Sequence, residues 1–364
     1  MNNAICQNKL RVAFVGLGRR GLANMNRYLQ LNNVEVRILC DFSSEAIEAA
    51  KSCFPQGYPE PICFRSWQEM IAAVPEADLV YISTDWNSHT PISVSAMEAG
   101  YNVAVEVPAV TDAAGASLLL KTVKKTGRFF TMVENCCYDP FHLSTLALVE
   151  AGQLGEITHC EGAYIHDLRN DHESGAWLSA LIGAGQVNPY PTHGLGPICQ
   201  ILRACGCTDR LDTVVSLRPA AAGINSSLLR TVAGRTVLLQ FDVVTPRPYS
   251  RLQTVCGTKG FVSKYPLPMA MLDGMEKPLT DNALQELFNT YRHPLLEAYE
   301  SDGLRLGVNN MMNYIMDRRT VDLLLSGAGP DITVADAVEW SALAWLTQES
   351  ARNGGTPVMI PRFS

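Results

Sequence analysis

Val12-Ala13-Phe14-Val15-Gly16-Leu17-Gly18-Arg19-Arg20-Gly21 is the stretch on which the fold turns. An apolar, β-branched run enters G-x-G-x-x-G, and a helical stretch follows. Each glycine there has its own steric task. Gly16 permits the tight turn, Gly18 lets a pyrophosphate approach the backbone, and Gly21 permits close packing of helix on strand. The phosphates would rest on the helix N-terminus, where free N–H groups and the dipole favour anions. The next strand ends at Cys40-Asp41, about 20 residues past the last glycine. An acid there accepts hydrogen bonds from ribose hydroxyls and repels a 2′-phosphate, so Asp41 favours NAD over NADP. Arg19 and Arg20 are the counter-signal, because an arginine beside the loop can pair with that phosphate. A helix cap is the plain alternative for Asp41.

Outward from this loop, short apolar runs at 10–15, 34–40, 78–83, 102–106 and 129–134 alternate with helical stretches at 21–31, 44–51, 90–99 and 113–125. Such alternation predicts a parallel, doubly wound sheet buried on both faces. A helix over 140–151 leads away from it. Long alternating runs follow at 157–167, 211–217, 226–232, 235–243 and 251–256, with few helices between them. They predict a large, mainly antiparallel open sheet. Helices return at 309–325 and 334–352. The expected architecture is an N-terminal doubly wound Rossmann domain over 1–135 and a C-terminal, mainly antiparallel sheet domain with flanking helices over 136–364. No internal repeat or low-complexity segment interrupts it.

Composition narrows the class. The 364 residues suit two domains, and 47% hydrophobic with 18% charged residues is globular. A net charge of −7 gives no electrostatic support for nucleic-acid binding. The 11 cysteines form no CxxC pair, and neither Cys136-Cys137 nor Cys205-x-Cys207 has zinc-site spacing, so no metal is expected. Reduced thiols in a cytoplasmic protein are the expectation, with no membrane span and no apolar leader in residues 1–9.

Two further stretches sit at strand ends: Ser83-Thr84-Asp85-Trp86-Asn87-Ser88-His89-Thr90-Pro91 and Glu106-Val107-Pro108. With the glycine loop they resemble the glucose–fructose oxidoreductase/inositol dehydrogenase family. Most of its members carry lysine where this chain has Val107, and that lysine assists proton transfer. Downstream, Glu134-Asn135-Cys136-Cys137-Tyr138, Tyr164-Ile165-His166-Asp167-Leu168-Arg169, Tyr190-Pro191-Thr192-His193-Gly194-Leu195-Gly196-Pro197, Pro246-Arg247-Pro248-Tyr249-Ser250 and Gly257-Thr258-Lys259-Gly260 resemble glycoside hydrolase family 109, which has Glu-Val-Pro at the lysine site. Two departures stand out. Asn170 to Pro189 replaces a longer insert containing a Trp-Arg pair, and Asn309-Asn310-Met311-Met312-Asn313 stands where His-Gly-Gly-Met-Asp is expected.

The resemblance implies an NAD-dependent glycosidase, with α-linked N-acetylgalactosamine as the family's sugar. Bound NAD would oxidise sugar carbon 3, elimination would expel the aglycone, water would add, and re-reduction would follow. Such a route needs positioned general bases rather than two opposed carboxylates. Matching positions give Gly16, Gly18, Arg20, Gly21, Asp41, Trp86, Asn87, His89, Glu106, Val107, Asn135, Tyr190, Thr192 and His193 for the cofactor. Tyr164, His166, Arg169, Tyr190 and Tyr249 match substrate contacts. His193 is the candidate acid/base, and Tyr164 or Tyr249 the second base. Plainer readings stand beside these: a satisfied loop histidine for His193, a helix cap for His89, loop packing for Trp86, and one face of a half-buried strand for Tyr164 and His166. A sugar or cyclitol oxidoreductase with net NAD(P) turnover and a non-catalytic sugar or nucleotide sensor are the alternative functions. The resemblance also implies a homo-oligomer formed through the open sheet.

Overall fold

The computed structural model describes residues 9–363 apart from 74, 171, 205–208, 219 and 221, and no side chains at 172–177. Its contacts form two compact units. The first runs to Val133 and regains Met316–Val338; the second comprises Glu134–Ile315 and Glu339–Phe363.

The first unit alternates β1 (Leu10–Val15), α1 (Arg19–Leu29), β2 (Val34–Cys40), α2 (Ser44–Lys51), β3 (Ile62–Phe64), α3 (Trp67–Ala73), β4 (Leu79–Ile82), α4 (Trp86–Glu98), β5 (Asn102–Val105), α5 (Ala113–Thr126) and β6 (Phe130–Met132). All its strands are parallel, in the order β3-β2-β1-β4-β5-β6. Both faces are covered, which is why β4 is buried at every position. Side chains of Ser43, Asp85 and Asp112 cap α2, α4 and α5 by accepting backbone N–H bonds, and Gly127 closes α5 in the left-handed conformation.

Strand order reverses between β1 and β4, the place where open α/β sheets take ligands. Gly16 follows β1 at φ +89°, and a Cβ on it would lie 2.5 Å from the Ser83 carbonyl oxygen after β4. A Cβ on Gly21 would lie 1.9 Å from the Gly16 carbonyl oxygen. No side chain fits at either position.

The returning segment carries the end of α11 (Met311–Ser326) and the start of α12 (Val334–Arg352). A division at 135/136 does not contain this return. Helical periodicity shows that a face is buried, not which body buries it. Asp317 on α11 is 1% exposed and accepts from Arg27 Nε of α1 at 2.5 Å. Arg27 Nη2 also donates to Asn24 Oδ1 at 2.9 Å. Burial pushes the Asp317 carboxyl up to about 6 despite the opposing Arg27 charge.

The second unit opens with a 3₁₀ turn, Asn135–Tyr138, and α6 (Pro140–Glu150). Then come β7 (Ile157–Ile165), α7 (His172–Gly183), α8 (Thr192–Ala204), β8 (Leu211–Leu217), β9 (Ile224–Thr231), β10 (Thr236–Asp242), β11 (Ser250–Gly257), β12 (Gly260–Ser263) and β13 (Met269–Leu272). Helices α9 (Asp281–Thr290) and α10 (Pro294–Arg305) precede α11, and β14 (Val358–Met359) ends the chain's strands. Eight strands pair in the order β13-β12-β11-β7-β10-β9-β8-β14, parallel only between β7 and β10. In β9 the buried Asn225, Ser227, Leu229 and Thr231 alternate with more exposed neighbours, which gives the sheet one covered face and one open face.

The second unit holds more helix than its alternating runs suggest, since α7 to α10 were not expected. Strands β3, β12, β13 and β14 and helix α3 were also missed; most are too short for periodicity to register. Helix α8 carries Pro197, Gly194 and Gly196, a loop-like composition, and forms because it packs. A Cβ on Gly162 of β7 would lie 2.1 Å from the Gly194 carbonyl oxygen, so the two glycines let the helix backbone lie directly on the strand. No described helix is long and apolar enough to cross a membrane.

Arg27→Met strands the Asp317 carboxyl in the interior and should lower unfolding free energy by about 3 kcal/mol. Asp317→Asn, which strands no carboxylate, should cost less. Urea denaturation of both variants checks the order; equal losses would refute the pairing argument.

Candidate active site

In the first unit the dinucleotide loop is open where a ligand requires it. Gly18 caps α1 without any side-chain hydrogen bond, and a Cβ there would meet nothing within 4 Å. Gly18 itself offers no side chain to the first-turn N–H groups of α1, and the residues fit a pyrophosphate. Asp41 is not the cap of α2; Ser43 is. Its Oδ2 accepts from Leu17 N–H at 2.7 Å and its Oδ1 from Ser43 N–H at 2.9 Å. Those bonds fix the acid against the loop and leave carboxylate lone pairs for ribose hydroxyls.

Glu106, just past β5, accepts from Asn24 Nδ2 at 2.8 Å and lies 3.8 Å from Arg20 Nε. Val107 is buried and Asn87 exposed. Trp86 opens α4 rather than lying in a loop. His89 is fully buried, with Nδ1 2.8 Å from the Pro108 carbonyl oxygen and Nε2 3.1 Å from that of Thr84. Its ring thus ties two strand-end loops together from inside. Burial lowers its pKa.

In the second unit the expected loop histidine stands in the first turn of α8. Nδ1 of His193 is 2.8 Å from Glu134 Oε1, and Nε2 is 3.2 Å from the Tyr190 hydroxyl. Glu134 is fully buried and also accepts from Cys136 N–H at 3.1 Å. The glycines of α8 make this possible: a Cβ on Gly196 would meet Trp340 at 2.9 Å and Glu134 Cγ at 3.1 Å. Burial works against a charged imidazole, but the Cys136 sulfur and the Glu134 carboxylate raise His193 to about 10. Burial likewise opposes the Glu134 charge, and His193 and the Cys136 N–H more than offset it, so its pKa is lowered. The pair is an internal ion pair at neutral pH. Sequence inspection missed Glu134 as a site residue; its signal was an acid at the C-terminal end of a parallel strand.

Aromatic rings extend the cluster. Tyr164 lies 4.8 Å from Tyr190 and 5.8 Å from His193, centroid to centroid, and its hydroxyl is 3.2 Å from His166 Nδ1. His166 lies 5.2 Å from Tyr249, and Tyr249 6.1 Å from Tyr265. Tyr249 keeps 44% of its surface exposed, yet desolvation on its packed side pushes its phenol up, so it remains protonated. Arg169 is engaged at the rim, donating to both carboxylate oxygens of Asp167 at 2.8 Å and holding that carboxyl down at about 2. Thr192 is fully buried at the start of α8. Asn135 donates from Nδ2 to Asn313 Oδ1 at 2.7 Å, so an amide of a matching stretch meets one of the departing 309–313 stretch. Asn188 is buried, and neither of its amide atoms is hydrogen-bonded among the described residues.

Ligand atoms of Glu134, Cys136 and His193 lie within 4.8 Å of one another, a grouping that cysteine spacing could not reveal. The bonds of Glu134 to His193 and to Cys136 N–H account for it. No disulfide joins two described cysteines.

Residues 10–134 match the oxidoreductase family with an NAD-binding Rossmann fold, and 138–228 with 220–364 match the C-terminal domain of glycosyl hydrolase 109. A glycosyl hydrolase family 109 protein 2 from Phocaeicola vulgatus is 42% identical, covering 98% of this chain and 94% of that protein. An alpha-N-acetylgalactosaminidase from Bacteroides fragilis is 41% identical over 98% of this chain and 92% of its own. Among solved structures, scyllo-inositol dehydrogenase from Lactobacillus casei with bound NAD(H) and scyllo-inositol superposes with a TM-score of 0.72 at 16% identity, covering 97% of this chain and 99% of that one.

Two predictions follow from the geometry. Gly21→Ala should destabilise the fold, whereas Gly18→Ala should leave the apo-protein's melting temperature unchanged and weaken NAD binding at least tenfold (about 1.4 kcal/mol); calorimetric titration separates them. Glu134→Gln should lower the His193 pKa by about 1–3 units, read from the imidazole proton shifts by NMR. The pair's stabilisation is complete below the ordinary histidine value and drains as pH rises through about 10. Its carboxylate share is lost as pH falls through the lowered Glu134 value. An unmoved His193 in the Gln variant would break this account.

Proposed function

The chain belongs to glycosyl hydrolase family 109, with an NAD-binding Rossmann fold as its first unit, and on that premise we propose that it cleaves a glycoside through transient oxidation at sugar carbon 3. The reading takes an α-linked N-acetylgalactosaminide as substrate, the sugar in the name of the Bacteroides fragilis relative. One observation carries it: a buried Glu134–His193 pair surrounded by Tyr190, Tyr164 and His166, in which the carboxylate meets an imidazole.

Bound NAD would supply reversible hydride acceptance, which makes the carbon 2 proton acidic and renders opposed carboxylates unnecessary. Gly16, Gly18 and Gly21 with Asp41 would hold it. His193 would give up its proton toward solvent when the sugar binds, take the carbon 3 hydroxyl proton as hydride leaves that carbon, be held as an imidazolium by Glu134, and return the proton on re-reduction. Tyr164 is the better second base, because its hydroxyl is 3.2 Å from a histidine nitrogen that can take the proton, whereas Tyr249 stays a phenol and donates a hydrogen bond. Val107, 5% exposed, cannot carry a proton at the lysine position of related dehydrogenases, which weighs against net turnover. Exposed Leu217 and Leu228 on the outer sheet face fit self-association.

With a nitrophenyl α-N-acetylgalactosaminide, phenolate release should require NAD and proceed without accumulation of NADH absorbance. His193→Ala should slow it about 10²–10⁴-fold. NADH formed stoichiometrically with product would replace this reading with a net dehydrogenase.

A further inference from the structure

Helix α1 carries a residue that helix formation does not explain. Asn24 is fully buried in the interior of that helix, one turn past Gly21. Asparagine is a poor helix former, and burying an amide costs free energy unless its atoms are hydrogen-bonded. Here both ends of the amide are engaged. Nδ2 donates to Glu106 Oε1 at 2.8 Å and to Ser83 Oγ at 3.2 Å, and Oδ1 accepts from Arg27 Nη2 at 2.9 Å. Ser83 follows β4 and Glu106 follows β5, so one side chain ties α1 to the C-terminal ends of two neighbouring parallel strands. Open α/β sheets take their ligands beyond those ends.

The same bonds decide which way round the amide lies. A guanidinium has only donors to offer, and an ionised carboxylate only acceptors. Turned over, Asn24 would set Oδ1 against Glu106 and Nδ2 against Arg27. Arg27 stands one turn after Asn24 on α1, and so on the same face. It is held in turn by Asp317, with Nε donating to Oδ2 at 2.5 Å and Nη2 to Oδ1 at 3.4 Å. The chain Asp317–Arg27–Asn24–Glu106 thus runs unbroken within the first unit, from buried Asp317 on α11 to a carboxylate that keeps 14% of its side chain exposed.

We propose that Asn24 is a positioning residue of the dinucleotide site: it fixes the Glu106 carboxylate for the bound cofactor, and Arg27 with Asp317 behind it holds the amide in the orientation that does so. The inference rests on the dinucleotide reading in one respect, that Glu106 at the end of β5 meets the cofactor. Held by Oε1, the carboxylate is oriented in advance and loses less freedom when a ligand arrives.

Calorimetric titration of the whole chain with NAD tests this without turnover, so hydrolysis of any glycoside has no bearing on the outcome. Glu106→Gln, Asn24→Leu and the double variant form one cycle, with melting temperatures recorded to confirm folding. Each single substitution should weaken NAD binding about tenfold. The double variant should bind no worse than the weaker single one, because Asn24 acts through Glu106. A side chain that merely supports the fold would give effects that add. Arg27→Gln should weaken binding on its own and add nothing in the Asn24→Leu protein. If Asn24→Leu does not fold, the smaller and still polar Asn24→Ser takes its place in the cycle. Unchanged affinity in Glu106→Gln would overturn the cofactor role of Glu106 and the proposal together. Weakened binding in Glu106→Gln, combined with unchanged binding in Asn24→Leu or with effects that add, would overturn the proposal alone. So would an Arg27→Gln effect that persists in full in the Asn24→Leu protein.

Discussion

A carboxylate buried without a counter-charge is one of the costliest groups a protein can hold, and Glu134 is fully buried. Its partner, His193, is 59 residues away in the chain and reaches it only because α8 lies against β7 with almost nothing between the backbones. Gly162 and Gly194 supply that closeness, and Gly196 lets the same helix pass over Glu134 and Trp340. The ion pair fixes the orientation of the imidazole, and the imidazole in turn fixes which ring nitrogen faces Tyr190. The geometry of this buried pair thus depends on three missing side chains as much as on the two charged ones.

Charge in that unit is distributed unevenly. At His193 one cation meets one anion, and the sum is close to neutral. At Asp139 two cations, Arg251 and Lys264, share one carboxylate oxygen. The bulged stretch of β11 stands between these regimes, carrying Tyr249 just before it and Arg251 and Gln253 within it.

How far the sequence revealed all this depended on the range of each interaction. The glycine loop was legible because its geometry is local: strand, turn and helix lie within a few residues, and β1, β2, α2 and α12 begin and end where their patterns do. Asp41 was legible as a position, but its bonds to Leu17 and Ser43 were not. His193 was found through a motif, and its helix was mistaken for a loop because Gly194, Gly196 and Pro197 disfavour helix locally while packing requires them. Glu134 was overlooked because a lone acid at a strand end declares no partner. Asp139, Arg251 and Lys264 are more than 100 residues apart at the extreme, and only pairing of β11 with β12 brings the two cations together. The amide pair Asn135–Asn313 joins a stretch that matched the family to one that departed from it.

The return of Met316–Val338 to the first unit sets an order of events on the ribosome. Every strand of the parallel sheet has emerged by Met132, yet Asp317 does not exist until about 180 residues later, roughly 10–40 s at ordinary elongation rates. During that interval Arg27 has no Asp317 to meet, and the parallel sheet lacks the helical segment that belongs to its unit. The nascent chain must therefore hold an incomplete nucleotide-binding core while the whole inserted unit is made, a window in which it is exposed to chaperones and proteases.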